Sequence, residues 1–144
     1  MQQPSDETQA VWVALMRVGP LVLDAVEAAT RRAGLPSLAA YDVLWGIERS
    51  RQGALRPREL ARQLLFPRYG LSRLIDRLEA DGLVVRRPCP DDARGHLVAL
   101  TDKGRKLRAR MWPTYSAAMI EAVETRLSSA EAKTLAKLLG KLGG

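Results

Sequence analysis

The chain has 144 residues, enough for one domain with helical extensions, and its 47% apolar content supports a core that only 5% aromatic residues leaves mainly aliphatic. Net charge is +7, yet residues 49–110 hold 16 Lys and Arg against 7 Asp and Glu, so this centre is +9 and the flanks together are −2. That distribution is the footprint of a nucleic-acid contact surface. One cysteine excludes an internal disulfide. Uncharged apolar runs far short of a membrane span, after a polar Met-Gln-Gln-Pro-Ser-Asp-Glu start, point to a soluble cytoplasmic protein with no membrane partner.

In chain order, Ser5 is a plausible N-cap for a first helix, with Asp6 and Glu7 at the positive end of its dipole. Trp12, Leu15, Met16, Val22 or Leu23, Val26 and Ala29 are spaced for one apolar face, and Gly19-Pro20 predicts a kink or a split. Gly34-Leu35-Pro36 closes the segment. Ser37 then caps a second helix with Leu38, Tyr41, Leu44, Trp45 and Ile47 inward, and Ala54-Leu55 is expected to add a short strand.

A third helix begins at Pro57 and should bury Leu60, Ala61 and Leu64. The next reads as a helix with two faces, with Pro67 suited to its first turn. Leu71, Leu74, Ile75 and Leu78 fall at i, i+3, i+4 and i+7 and form a buried stripe. Arg68, Tyr69, Ser72, Arg73, Asp76 and Arg77 point largely the other way, a donor-rich face suited to phosphates and base edges. Asp81-Gly82 supplies the stop. Two short helices joined by a tight turn make a helix-turn-helix, whose second helix enters the major groove.

After Gly82 the periodicity changes. Leu83-Val84-Val85 and His96-Leu97-Val98-Ala99-Leu100 are expected to pair, with residues 88–95 as a long tip rich in turn formers. Such a hairpin is a wing, and Arg94 at its tip suits a narrow A·T-rich minor groove. Asp92 is expected to hold the tip's shape. Arg56, Arg58 and Arg87 complete the cations assigned to DNA. Past the wing, Thr101 caps a long helix that Pro113 should bend, and Ser128 to Glu131 form a capping box for a last helix striped by Leu135, Leu138, Leu139 and Leu142.

Leu60-Ala61, the run from Ser72 to Glu79, Asp81-Gly82-Leu83-Val84, Asp92-x-Arg94, Leu100-Thr101 and Gly104 together resemble the MarR family of winged-helix transcriptional regulators, in register from Leu60 to Gly104. The expected fold is mainly α with a small β-hairpin wing: a winged helix-turn-helix over residues 37–101, an N-terminal dimerisation helix over 1–36 and C-terminal dimerisation helices over 102–144. The terminal helices have apolar faces that nothing else in the sequence covers, so a second copy is the simplest partner. Leu15, Val123, Leu127, Leu135, Leu138, Leu139 and Leu142 are assigned to that interface. The resemblance implies the same homodimer, and two recognition helices related by a two-fold axis predict a pseudo-palindromic operator in double-stranded DNA. It also implies a cleft for a small amphipathic or anionic effector. Trp12, Met16, Arg17, Tyr41, Trp45, Met111, Trp112 and Tyr115 are the candidate lining, although as single residues each reads more readily as core.

The chemistry of catalysis is missing. His96 is the one histidine and sits in a predicted wing strand, no glycine-rich phosphate loop occurs, and Cys89, Asp91, Asp92 and His96 fall short of a zinc ligand set. Neither enzyme activity nor a metal or cofactor is expected. Two alternatives remain beside the DNA-binding repressor. One is a helical interaction module on a winged fold, against which Arg68, Ser72, Arg73 and Arg94 all stand. The other is a redox-responsive regulator in which Arg86 and Arg87 favour the Cys89 thiolate; a small neutral residue in a Pro-Cys-Pro turn is the simpler assignment.

Overall fold

The computed structural model describes residues 1–66 and 70–144. Among them lie six helices, α1 (Asp6–Arg32), α2 (Leu38–Glu48), α3 (Pro57–Gln63), α4 (Leu71–Ala80), α5 (Asp102–Met119) and α6 (Ser129–Leu142). Three strands, β1 (Ala54–Leu55), β2 (Val84–Cys89) and β3 (Asp92–Leu100), form one antiparallel sheet in the order β1-β3-β2. The chain divides into two compact units, Gly34–Pro113 and Met1–Ala33 with Thr114–Gly144. The first of these keeps the beginning of α5, whereas the sequence places the boundary at Thr101.

The Gly34–Pro113 unit is built on α2. Ser37 Oγ accepts the Ala40 N–H at 3.2 Å and starts the helix. Leu38, Val43, Leu44 and Ile47 of α2 meet a core shared with Leu60, Ile75, Val84, Val98 and Met111, each no more than 1% exposed. Trp45 does not point inward as expected. It is 38% exposed, and the Arg108 guanidinium lies 4.9 Å from its ring centroid, a cation–π contact that suits an aromatic at a wet boundary. Arg108 is also ion-paired to Glu48. The Thr101 hydroxyl accepts the Gly104 N–H at 3.0 Å and donates to Gly82 O at 2.7 Å, joining the start of α5 to the end of α4. A Cβ on Gly104 would overlap the Leu83 carbonyl, so β2 can cross the first turn of α5 only over a glycine.

In the other unit, Ser5 Oγ accepts the Thr8 N–H and α1 runs unbroken to Arg32. Pro20 therefore does not split it: a single missing donor is tolerated when the turns on both sides remain bonded. Pro113 likewise lies inside α5 without ending it. The irregularity comes later, in a wider π turn over Ile120–Glu124 where the Thr125 N–H reaches back to Ile120 O at 3.2 Å. The capping box of α6 is formed, with Ser128 N–H on Glu131 Oε1 at 2.9 Å and Glu131 N–H on Ser128 Oγ at 3.2 Å.

These helices bury little. Val26 and Thr30 are the buried residues of α1, and α6 has none. Among the described residues α1 is also the one helix long and apolar enough to cross a membrane, one window reaching a mean hydropathy of 1.4. Uncharged runs alone do not reveal this, because Arg17 interrupts the run without lowering the average much.

Candidate nucleic-acid interface

Helix α3 begins where Pro57 needs no donor and the Glu59 carboxylate accepts the Arg56 N–H at 3.1 Å. Leu60 is its fully buried anchor, while Ala61 and Leu64 are half-buried rather than interior. The turn that follows is held from below. Asp42, 7% exposed on α2, accepts the Leu65 N–H at 2.6 Å. Burial pushes its carboxyl above the ordinary aspartate range, opposed by the backbone N–H groups of Leu65 and Phe66 and the charge of Arg49. Pro67, Arg68 and Tyr69, assigned from sequence to the helix start and the DNA face, lie outside the described residues.

Gly70 takes φ 83°, and α4 starts at Leu71. Ile75 and Leu78 are buried, Leu71 and Leu74 half-buried, and Ser72, Arg73, Asp76 and Arg77 exposed. The far end closes in a Schellman motif: Gly82, at φ 76°, donates to Glu79 O and Leu83 N–H to Leu78 O, both at 2.9 Å. The basic face of α4 is thus presented to solvent by a helix closed at its C-terminal end and buried along its back.

The wing is longer in strand and shorter in loop than expected. Pairing runs from Val84↔Leu100 to Pro88↔His96 and then skips to Cys89↔Asp92, leaving Pro90-Asp91 as the turn and Ala93, Arg94 and Gly95 as a bulge on β3. The long tip inferred from Pro, Asp and Gly is therefore mostly ribbon. Asp92 Oδ1 accepts the Arg94 N–H at 2.9 Å, and Arg94 itself is exposed in the bulge. Arg58 and Arg87 are also exposed. Arg56 is half-buried, its Nη2 3.1 Å from the Sγ of Cys89.

Cys89 is buried at 7% exposure, and its cationic neighbour is Arg56 rather than Arg86, which is committed elsewhere. Arg86 Nη2 lies 2.6 Å from Asp76 Oδ1 and Nη1 2.7 Å from Glu79 Oε1, while its N–H donates to Glu79 Oε2 at 2.9 Å. That backbone bond, then the guanidinium, holds Glu79 below the usual carboxylate range. This cluster escaped the sequence reading. Its signal was two acids at i, i+3 on the flank of a basic helix.

The candidate effector residues fall in both units. Within Gly34–Pro113, Tyr41 and Met111 belong to the core, Trp112 is 44% exposed and stacked on Tyr41 at 6.2 Å between centroids, and Trp45 lies at the surface. In the other unit Trp12 is 63% and Met16 53% exposed, Arg17 is exposed and Tyr115 half-buried. Of the residues assigned to dimerisation, Leu15 and Leu127 are half-buried, whereas Val123, Leu135, Leu138, Leu139 and Leu142 are 38–62% exposed.

Two antiparallel ribbon strands after a helix-turn-helix, braced by a third short strand, define a winged helix-turn-helix. The MarR family model matches residues 33–95. The fold is similar to that of Sco3205, a MarR family transcriptional regulator from Streptomyces coelicolor solved in complex with DNA, at a TM-score of 0.87 and 31% identity over 99% of this chain and 89% of that one. It is also similar to a mutant MarR from E. coli complexed with operator DNA, with a TM-score of 0.80 and 25% identity over 98% of this chain and 99% of that one. In sequence, the multiple antibiotic resistance protein MarR of Salmonella typhimurium is 32% identical over 90 residues, a match spanning 62% of each chain. The chain belongs to the MarR family of DNA-binding transcriptional regulators, which are not enzymes.

Proposed function

We propose that this chain is a cytoplasmic homodimeric repressor that reads a pseudo-palindromic operator and is released by a small amphipathic or anionic ligand. The observation that carries the reading is the exposed face of α4, where Ser72, Arg73 and Arg77 stand clear of a buried aliphatic stripe, with Arg94 exposed in the bulge of the adjoining ribbon. Side chains at that spacing reach base edges in the major groove, and a flanking arginine favours the narrow minor groove. The DNA complexes of Sco3205 and of E. coli MarR support the same use of the fold. Arg56, Arg58, Arg68, Arg87 and Tyr69 are assigned phosphate and sugar contacts, which position without reading sequence.

The exposed apolar residues of α1 and α6 support a second copy as their cover. Exposed Trp12, Met16 and Arg17 on α1 supply apolar surface and a cation for an effector. Selection of DNA from a random pool at stated salt tests the central reading, followed by a titration in salt. A dimer using several arginines per half-site should enrich an inverted repeat, and log K should fall steeply with log salt, with a slope of roughly −0.9 per phosphate neutralised. No enriched repeat, with a slope worth only one or two contacts, would overturn it.

A further inference from the structure

One guanidinium ties the helix that faces DNA to both strands of the wing. Arg86, on β2, reaches Asp76 and Glu79 of α4 through its two Nη atoms, at 2.6 and 2.7 Å. Its Nε lies 3.4 Å from His96 Nε2 on β3, and its backbone N–H is bound to Glu79 as well. All three guanidinium nitrogens are occupied, and the side chain is only 25% exposed. In a segment of +9 charge this arginine is committed to contacts within the protein.

The bonds span the connection from α4 to the ribbon. Between α4 and β2 the chain has Asp81, Gly82 and Leu83, with Gly82 in the left-handed region. Beyond Arg86 the ribbon carries exposed Arg87 and Pro88 on one strand and exposed residues 92–94 on the other, and the buried side chain of its outer half is Cys89, against Arg56. A two-stranded ribbon is marginal on its own, so contacts with the helix help to fix its angle. Carboxylate–arginine contacts made through both Nη atoms provide geometry as well as attraction. The same contacts neutralise Asp76, which would otherwise present a carboxylate to DNA beside Arg73 and Arg77.

We propose that Arg86 is the positioning residue that sets the angle between α4 and the wing, and so couples base reading by α4 to flank reading by Arg94. This rests on the DNA-reading role given to both elements above. The two grooves they would enter are adjacent on one duplex, so a wing at the wrong angle leaves Arg94 out of register with the flank even when α4 is seated.

The test compares wild type, Arg86→Ala, Arg94→Ala and the double variant on four duplexes, combining preferred or scrambled core with A·T or G·C flanks. In wild type, Arg94→Ala should erase the flank preference. In Arg86→Ala, core discrimination should stay within about threefold of wild type while flank preference falls roughly tenfold, the size of one lost base-pair interaction. Adding Arg94→Ala should then change little. A purely structural role would lower binding to all four duplexes by one common factor and leave the flank preference unchanged, and that result overturns the proposal. If Arg94→Ala leaves the wild-type flank preference intact, the wing-reading premise fails with it. Should Arg86→Ala not fold, the Asp76→Asn, Glu79→Gln double variant releases the same guanidinium with neutral isosteres and carries the same expectation and refutation.

Discussion

Asp42 brings a carboxylate into the winged-helix core because the turn after α3 has backbone N–H groups that no helix or strand uses. Its raised pKa means the folded state binds the proton more tightly than the unfolded chain. The stabilisation linked to that proton is fully present below the ordinary aspartate range, near 3.9, and is lost as pH rises through the raised value. Asp42→Asn should flatten that fall and cost little at pH 7, since an acceptor oxygen remains and a buried charge is gone. Asp42→Ala should cost about 1–3 kcal/mol in urea unfolding, because the Leu65 N–H is left without its acceptor. Equal losses for the two variants would show that the turn does not depend on that oxygen. Gly104 sets two opposed effects against each other. Alanine is the better helix former by about 1 kcal/mol, but its Cβ would overlap Leu83 O and lie 2.8 Å from Leu100 Cδ1, and such overpacking costs roughly 1–3 kcal/mol or more. The overlap is with backbone, so Gly104→Ala should lower the melting temperature; a rise would mean β2 moves aside freely.

At the scale of elements, α4 and the wing would divide the work of reading DNA. Arg73→Ala should weaken binding to the preferred operator by about 1–3 kcal/mol and to random DNA by much less, if the side chain meets a base edge. Equal losses on every sequence would make Arg73 a phosphate contact. Arg94→Ala should weaken binding chiefly to sites with A·T-rich flanks. What the sequence disclosed of these elements follows from what holds each one. Helix α4 was legible from its stripe, because Ile75 and Leu78 are held by burial, and Gly82 announced the Schellman stop. The outer wing was not, because its ribbon from Arg87 to Asp92 is held by ladder bonds and shows no alternation of apolar and polar residues. Its Pro, Asp and Gly therefore read as loop. A split at Pro20 does not occur, since local propensity yields when the surrounding turns are long and bonded. The Arg86 cluster and the Asp42 latch join residues from separate elements, and neither periodicity nor motif spacing reports such contacts.

For the whole molecule, a dimer would set the DNA geometry, and α1 and α6 carry the apolar surface that a second copy would cover. On α6, Leu135, Leu138, Leu139 and Leu142 are 42–62% exposed on a helix whose formed capping box makes it a stable element rather than a frayed end. If this stripe clasps a second chain, a glutamate at position 139 would be buried without a partner, at a cost on the order of several kcal/mol. That is comparable to the whole stability of a small domain, about 5–15 kcal/mol. Leu139→Glu should therefore give monomer at micromolar concentration in sedimentation, and operator affinity should fall further than for any single alanine on α4, because a lone winged helix keeps only one half-site. Circular dichroism separates a folded monomer from an unfolded chain. A wild type that sediments as monomer yet protects a full inverted repeat would sink the dimeric architecture. A dimer that survives Leu139→Glu would shift the interface to the exposed face of α1, where Trp12, Met16 and Leu21 are 53–67% exposed.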